Sequence, residues 1–219
     1  MITYKDIKNS REIQTYIKRA DETLAALGYT EHAFAHVGKV AEHAQHILKV
    51  LGYDDRTAEL AKIAGYMHDI GNVVNRVDHA QSGAIMAFRI LDKMGMDVDE
   101  IATIVSAIGN HDESTAVPVN EVAAALILAD KSDVRRTRVR NRVKASFDIH
   151  DRVNYSVESS NLVIDTENKY SILELKIDTE MFAIMDYFEI FLGRMLLCRR
   201  ASEFLNLRFK LVINGVELL

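Results

Sequence analysis

Apolar residues recur at three- and four-residue steps through the first two thirds of the chain, a periodicity that predicts a succession of amphipathic helices. In residues 3–27, Ile13, Tyr16, Ile17, Ala20, Leu24 and Leu27 keep helical spacing; Ser10 can cap and Gly28 stops the run. Thr30 is expected to cap a second helix, whose stripe of Ala33, Val37, Val40, Ala44, Ile47, Leu48 and Leu51 ends at Gly52. Asp54 or Asp55 opens a third, with Leu60, Ile63, Ala64 and Met67 inside. Asp78 is expected to cap a fourth, carrying Ala84, Ile85, Phe88, Ile90, Leu91 and Met94 and stopped by Gly95. Asp97 or Asp99 opens a fifth, with Ile101, Ile104, Val105 and Ile108. The unbroken apolar run Val122–Ala129 reads as a sixth, deeply buried helix with Asp130 at its polar end.

Near residue 145 the period changes. Leu173, Leu175 and Ile177 alternate with Glu174 and Lys176, which is strand periodicity, and Leu162-Val163-Ile164 supplies the other arm of a hairpin. Residues 179–206 read as a long helix with a Met and Phe stripe (Met181, Met185, Phe188, Met195), serving as core or as a homodimer seam. Phe209, Leu211 and Ile213 then alternate as a closing strand before the Asn214-Gly215 turn signal. The expected architecture is mainly α: a helical metal-binding domain over 1–145 and a small α+β (β-β-α-β) appendix over 146–219, used for dimerisation or for capping the active site.

Composition narrows the class without naming a function. In 219 residues, 48% hydrophobic and 27% charged content is ordinary for a globular protein. The net charge of −5 argues against broad binding to nucleic acid or anionic membranes. A single cysteine, Cys198, excludes an intrachain disulfide framework and points to a reducing, cytoplasmic setting. No apolar run approaches the ~20 residues of a membrane span, and the N-terminus lacks a signal-peptide core. One basic cluster, from Lys131 through Arg135, Arg136, Arg138, Arg140 and Arg142 to Lys144, could grip a polyphosphate or an RNA backbone; it reads better as a solvated helix face, with no aromatic interleaved before Phe147.

The candidate chemistry centres on Tyr66-Met67-His68-Asp69-Ile70-Gly71-Asn72, where a histidine and an aspartate stand side by side at the end of an apolar helix. With 8 His in the chain, one His-Asp pair carries little weight. Taken singly, His32, His43, His46 and His150 are ordinary surface or core residues, His79 beside Asp78 competes with a capping role, and Asp130 with a turn residue. As a set, His36, His68, Asp69, His79, His111 and Asp130 all fall at polar ends of apolar helices. Their separations are helix-to-helix distances, as in a metal site assembled inside a bundle. Imidazole nitrogen with carboxylate oxygen suits Mn, Fe or Zn.

His36…His68-Asp69…Asp130 resembles the H…HD…D pattern of the HD-domain metal-dependent phosphohydrolase superfamily. The matching phrases are His36-Val37-Gly38-Lys39, Tyr66-Met67-His68-Asp69-Ile70-Gly71 and Ala129-Asp130-Lys131-Ser132-Asp133, so the likeness runs from about residue 30 to 140. His79 and His111 resemble the two further histidines of subfamilies that hold two metals. The resemblance implies Asp69 bridging the ions, with His36, His68 and Asp130 on one and His79 and His111 on the other. The cyclic-di-GMP-cleaving subfamily has Lys where Asn72 stands and a second His where Asp112 stands, and its Gly-Tyr-Pro motif is missing here, which counts against that substrate.

The implied function is hydrolysis of a phosphate ester or anhydride of a nucleotide or similar small phosphorylated compound, with Asp69 and His68 at the catalytic centre. One or two divalent ions are expected, with Mn, Fe, Ni, Mg and Zn not distinguished. Lys39, one turn beyond His36, is the preferred phosphate contact; Arg76 and Lys131 follow on the same logic. Asn72 and Asp112 are expected behind the ligands, Asp112 equally as a solvated loop acid. The alternatives are an HD-fold di-iron oxygenase and a non-catalytic nucleotide-binding regulator.

Overall fold

The computed structural model describes residues 1–113, 115–141, 143, 147, 149–180 and 184–218, the side chains of 150, 184 and 186 apart. Arg142, Lys144 and Met181, and the side chain of His150, therefore lie outside the described residues. Helices α1 (Tyr4–Asn9) and α2 (Arg11–Ala26) replace the single predicted helix over 3–27. Ser10 separates them because its extended backbone (ψ 117°) ends one helix while its hydroxyl accepts from Ile13 N–H to start the next. Then come α3 (Phe34–Val50), α4 (Asp55–Met67), α5 (His79–Met94), α6 (Val98–Gly109) and α7 (Glu121–Lys131). A short 3-10 turn, Ile70–Val73, links α4 to α5.

Two predicted caps are not made. Thr30 lies outside α3, which starts only after Ala33 without a side-chain cap. The intervening chain is tied to distant partners instead: Glu31 N–H donates to Arg138 O at 2.8 Å, His32 N–H to Asp21 Oδ1 at 2.8 Å, and the Arg138 guanidinium donates to Glu31 O at 2.8 Å. Asp78 stands at the N-cap of α5, but its left-handed backbone (φ 56°) leaves it without a capping hydrogen bond. Asp54 and Asp97 do cap, each accepting from two backbone N–H groups.

Helix α7 is the axis of the molecule. Val122 to Ala129 are all at most 1% exposed, as expected of a helix apolar on every side. It packs against α3, α4 and α6 and, from the C-terminal part of the chain, against α9 (Ile184–Phe204). Close approach of α3 and α4 needs Gly65, whose added Cβ would stand 2.9 Å from Ala41 Cα.

The C-terminal part holds α8 (Ile149–Ser156), β1 (Val157–Asp165), β2 (Tyr170–Ile177), α9, β3 (Arg208–Ile213) and β4 (Val216–Glu217). The sheet order is β1-β2-β3-β4, with β2 and β3 parallel across α9 and the outer pairs antiparallel. The β-β-α-β expectation thus gains a two-residue strand beyond the Asn214-Gly215 turn. One apolar core runs through both parts of the chain, from Ile7 to Ile213. No described helix is long and apolar enough to cross a membrane.

Candidate metal centre

Five helix ends deliver the polar set to one place. His36 sits in the first turn of α3, His68 caps the C-terminus of α4 with Asp69 next, and His79 opens α5. His111 follows α6, and Asp130 lies in the last turn of α7. A helix end is where adjacent residues can turn toward a common point, which answers the difficulty that neighbours on a helix diverge by about 100°. Two glycines fix the approach. A Cβ on Gly71 would overlap His79 O, and one on Gly83 would lie 3.1 Å from His68 O, so the turn after Asp69 seats directly on α5.

All four imidazoles are tied from behind through Nδ1. His36 meets Asp133 Oδ2 at 2.8 Å, His68 meets Gly65 O at 2.8 Å, His79 meets Arg76 O at 3.0 Å and His111 meets Ile108 O at 2.6 Å. Carbonyl and carboxylate oxygens only accept, so Nδ1 carries a proton and Nε2 is the atom each ring turns inward, where its lone pair serves a cation whenever the ring is neutral. Asp69 divides its carboxylate between them. Oδ2 lies 3.6 and 3.2 Å from the Nε2 atoms of His36 and His68; Oδ1 lies 3.6 and 4.0 Å from those of His79 and His111. Asp130 Oδ1 stands 3.3 Å from His36 Nε2 and 3.7 Å from His68 Nε2.

Buried polar atoms normally find partners. Here His36 Nε2, His68 Nε2 and Asp69 Oδ2 are buried with no hydrogen-bond partner, all three pointing at the same spot. Two imidazole nitrogens and a carboxylate oxygen turned to one point fit a cation, a metal ion or the proton that His68 takes in its place. The donor atoms of His36, His68 and Asp130 lie within 4.8 Å of one another, as do those of His68, Asp69 and His111. His79 Nε2 and His111 Nε2 approach to 3.3 Å, which for two lone pairs also calls for positive charge between or beside them. Burial opposes charge on His68, yet Asp69 and Asp130 outweigh it and push its pKa up to about 10, so with no cation bound the ring takes a second proton at Nε2, in the place a metal ion would otherwise fill. Burial, with the positive neighbours His68 and Lys131, takes His111 down to about 3. Against their own burial, His68 holds Asp69, and Lys131 with His36 holds Asp130, well below the usual carboxylate range.

Around this centre is a cavity of about 390 Å³. Its wall includes Asp69, His79, His111 and Asp130, the cations Arg76, Lys131 and Arg138, and Ile190, Phe191 and Arg194 from α9. Arg76 places Nη1 3.2 Å from His79 Nε2, and Lys131 places Nζ 2.7 Å from Asp130 Oδ2. Asn72 donates to Asp69 Oδ1 at 2.9 Å and to Asp69 O at 3.0 Å. Asp112 lies 3.9 Å from both His79 Nε2 and the Arg76 guanidinium. Lys39 is the exception: its ammonium lies 3.0 Å from Asp133 Oδ1 and the residue is not part of the cavity wall.

Sequence reasoning passed over four residues that the fold brings in. Asp133 backs His36 and is fully buried, also accepting from Arg135 Nε at 2.8 Å. Burial would raise its carboxyl, but the His36, Arg138 and Arg135 contacts hold it far below the usual range. Its position three residues past Asp130 was the only cue. His32, read as filler, lines the cavity with its ring 5.3 Å from that of His36. Glu113 and Arg194 pair across the cavity edge with no sequence signal at all. Among the described residues the basic run is not one solvated helix face: Lys131 ends α7 and Arg136–Arg138 form a 3-10 turn, with Arg136 donating to Tyr155 O, Arg138 to Glu31 O and Asp133 O, and Arg140 beyond the turn to Tyr29 O, so these guanidinium groups satisfy main-chain carbonyls of neighbouring segments.

The family model for the HD domain matches residues 33–148. The chain belongs to the HD-domain family, whose members bind divalent metals. An uncharacterized protein of Methanocaldococcus jannaschii is 25% identical over 178 residues, covering 71% of this chain and 68% of that protein. The crystal structure of a predicted HD superfamily hydrolase from an uncultured Thermotogales bacterium is 29% identical, covers 57% of this chain and 68% of that one, and has a TM-score of 0.45.

Proposed function

We propose that the protein is a metal-dependent phosphohydrolase that cleaves a phosphate ester or anhydride of a nucleotide or a similarly small phosphorylated compound. One observation carries this reading: the two oxygens of Asp69 face two separate pairs of imidazole nitrogens. His36, His68 and Asp130 would hold one divalent ion, His79 and His111 a second, and Asp69 would bridge them. Bound divalent cations supply Lewis acidity toward a phosphoryl oxygen and bring the pKa of water toward neutrality.

The chain's own residues do the rest. Asn72 pins Asp69 Oδ1, so the carboxylate cannot rotate away from its bridging pose. The main-chain anchors of His68, His79 and His111 keep their rings fixed as charge builds on phosphorus. Arg76 and Lys131 line the cavity, and in this reading they take phosphoryl oxygens. The volume is at the small end of the ~300–1,000 Å³ typical of ligand sites, which favours a compact phosphate compound over a polymer. In this proposal residues 146–219 cap the active site, since α9 contributes part of its wall.

Protein loaded with Mn²⁺, Fe²⁺ or Ni²⁺ should release phosphate or a nucleoside monophosphate from a member of a nucleotide panel. Asp69→Ala should lose both the metal and the turnover. Turnover that survives loss of the metal refutes the assignment. Oxygen consumption by anaerobically purified iron protein would point to the oxygenase chemistry instead, and tight nucleotide binding without turnover to a regulator.

A further inference from the structure

Two cations from different parts of the fold converge on one carboxylate in the wall of the cavity. Arg194 of α9 places Nε 2.8 Å from Glu113 Oε1, and Lys131 of α7 places Nζ 3.5 Å from the same oxygen. All three residues line the cavity beside Asp130. Arg194 is braced by the Phe191 ring, 4.2 Å from its guanidinium carbon, and Lys131 is 4% exposed. Glu113 is the most exposed of the three: it stands in the loop after α6 with its side chain 30% exposed, against 20% for Arg194 and 6% for Lys131, so its carboxylate can reach water when displaced. A carboxylate oxygen held between an ammonium and a guanidinium has the charge and hydrogen-bond pattern of a phosphoryl oxygen.

We propose that Arg194 and Lys131 form a substrate-anion subsite, and that Glu113 is an internal stand-in which a phosphoryl group displaces. The inference rests on the phosphohydrolase reading for the identity of the anion, and it adds that the C-terminal part of the chain supplies a binding residue. Before any ion binds, the acids lining the cavity (Asp69, Glu113, Asp130, Asp151) balance Arg76, Lys131, Arg138 and Arg194 in formal charge. Divalent ions would make the cavity cationic, and an entering phosphoryl dianion restores balance more fully than the single charge of Glu113. Arg194 and Glu113 therefore act on anion affinity in opposite directions.

The test uses the full chain loaded with Mn²⁺, with inorganic phosphate as the probe and titration calorimetry as the readout. Metal content of each variant is measured alongside. Arg194→Gln should weaken phosphate binding by roughly tenfold or more with metal content unchanged. Arg194→Lys should recover part of the loss, and Glu113→Gln should tighten binding. If Arg194→Gln does not fold, Glu113→Gln decides alone. Wild-type protein that binds no phosphate, unchanged affinity in Arg194→Gln, or no tightening in Glu113→Gln overturns the proposal. The hydrolase reading fails separately: the variants then shift phosphate affinity as described while the nucleotide panel shows no turnover.

Discussion

Replacing Asp133 by Asn changes charge while preserving shape, at the one residue that joins the metal-facing histidine to the surrounding cations. Asp133 is fully buried; Oδ2 accepts from His36 Nδ1 at 2.8 Å, and Oδ1 meets Arg135 Nε at 2.8 Å and Lys39 Nζ at 3.0 Å. An amide can serve only one side. Whichever way it is turned, its NH₂ group faces a donor, and a buried unpaired donor costs about 1–3 kcal/mol. Loss of a partner from a buried ion pair costs about 3–5 kcal/mol when the remaining charge is trapped. Here Lys39 and Arg135 are 30% and 24% exposed at the side chain and can turn to water, while Arg138 keeps its carbonyl acceptors. The expected loss is therefore ~2–3 kcal/mol, or roughly 4–12 °C in Tm for a chain of this size. Metal affinity should fall about 10–100-fold, since His36 loses the partner that fixes its tautomer. Urea denaturation of chelator-treated protein reads the first effect and metal titration of the folded variant reads the second. A variant with the wild-type midpoint and wild-type metal affinity would show that His36 does not depend on Asp133.

Three further outcomes follow from other sites. Gly71→Ala would push a Cβ into His79 O and the backbone of Gly83, neither of which can yield as a flexible side chain would, so a loss of ~3 kcal/mol or more is expected in denaturant unfolding; a loss below ~1 kcal/mol would mean that the turn does not seat on α5 as described. Lys39→Ala should leave KM for the phosphorylated substrate unchanged and cost no more than ~1 kcal/mol, because its side chain, 30% exposed, pairs with Asp133 away from the cavity; a several-fold rise in KM would restore it to the substrate site. Burial pushes the Cys198 thiol from 9.0 to about 12. Above pH 9 the unfolded chain loses the proton that the folded one retains, so this contribution to stability is complete below pH 9 and declines as pH rises toward 12; native protein should resist thiol reagents at pH 8 and react only as fast as it opens, and prompt labelling would contradict the burial.

The parts of this fold that local periodicity encodes were legible from the chain. The stripe Val37, Val40, Ala44, Ile47 and Leu48 faces the core of α3, and Leu173, Leu175 and Ile177 form the buried face of β2. The convergence of His36, His68, Asp69, His79, His111 and Asp130 was legible too, because each stands where an apolar helix ends. What failed was whatever depends on distant partners. Thr30 has the chemistry of a cap, yet Arg138, more than a hundred residues away, takes both the N–H and the carbonyl of Glu31, and the helix starts only later. Helix α8 is short and polar on its exposed side, so its apolar positions never form a countable stripe. Lys39 has the right spacing for the cavity and the wrong neighbour, since Asp133 draws its ammonium away. Arg194 reaches the site only through the packing of α9 on α7, which no residue near Arg194 announces.

Every candidate donor stands at the loose extremity of its helix, the part of a helix that opens first in native-state fluctuations. An ion gripped there would fasten five segments at the points where each begins to unravel, and a single coordination event would be felt by the whole bundle. Amide exchange should then slow together at the start of α3, the end of α4, the start of α5, the end of α6 and the end of α7 when metal is added, although these segments are far apart in the chain. The centre would in this way be a rivet as much as a reagent, and chelation would loosen the protein from its active site outward.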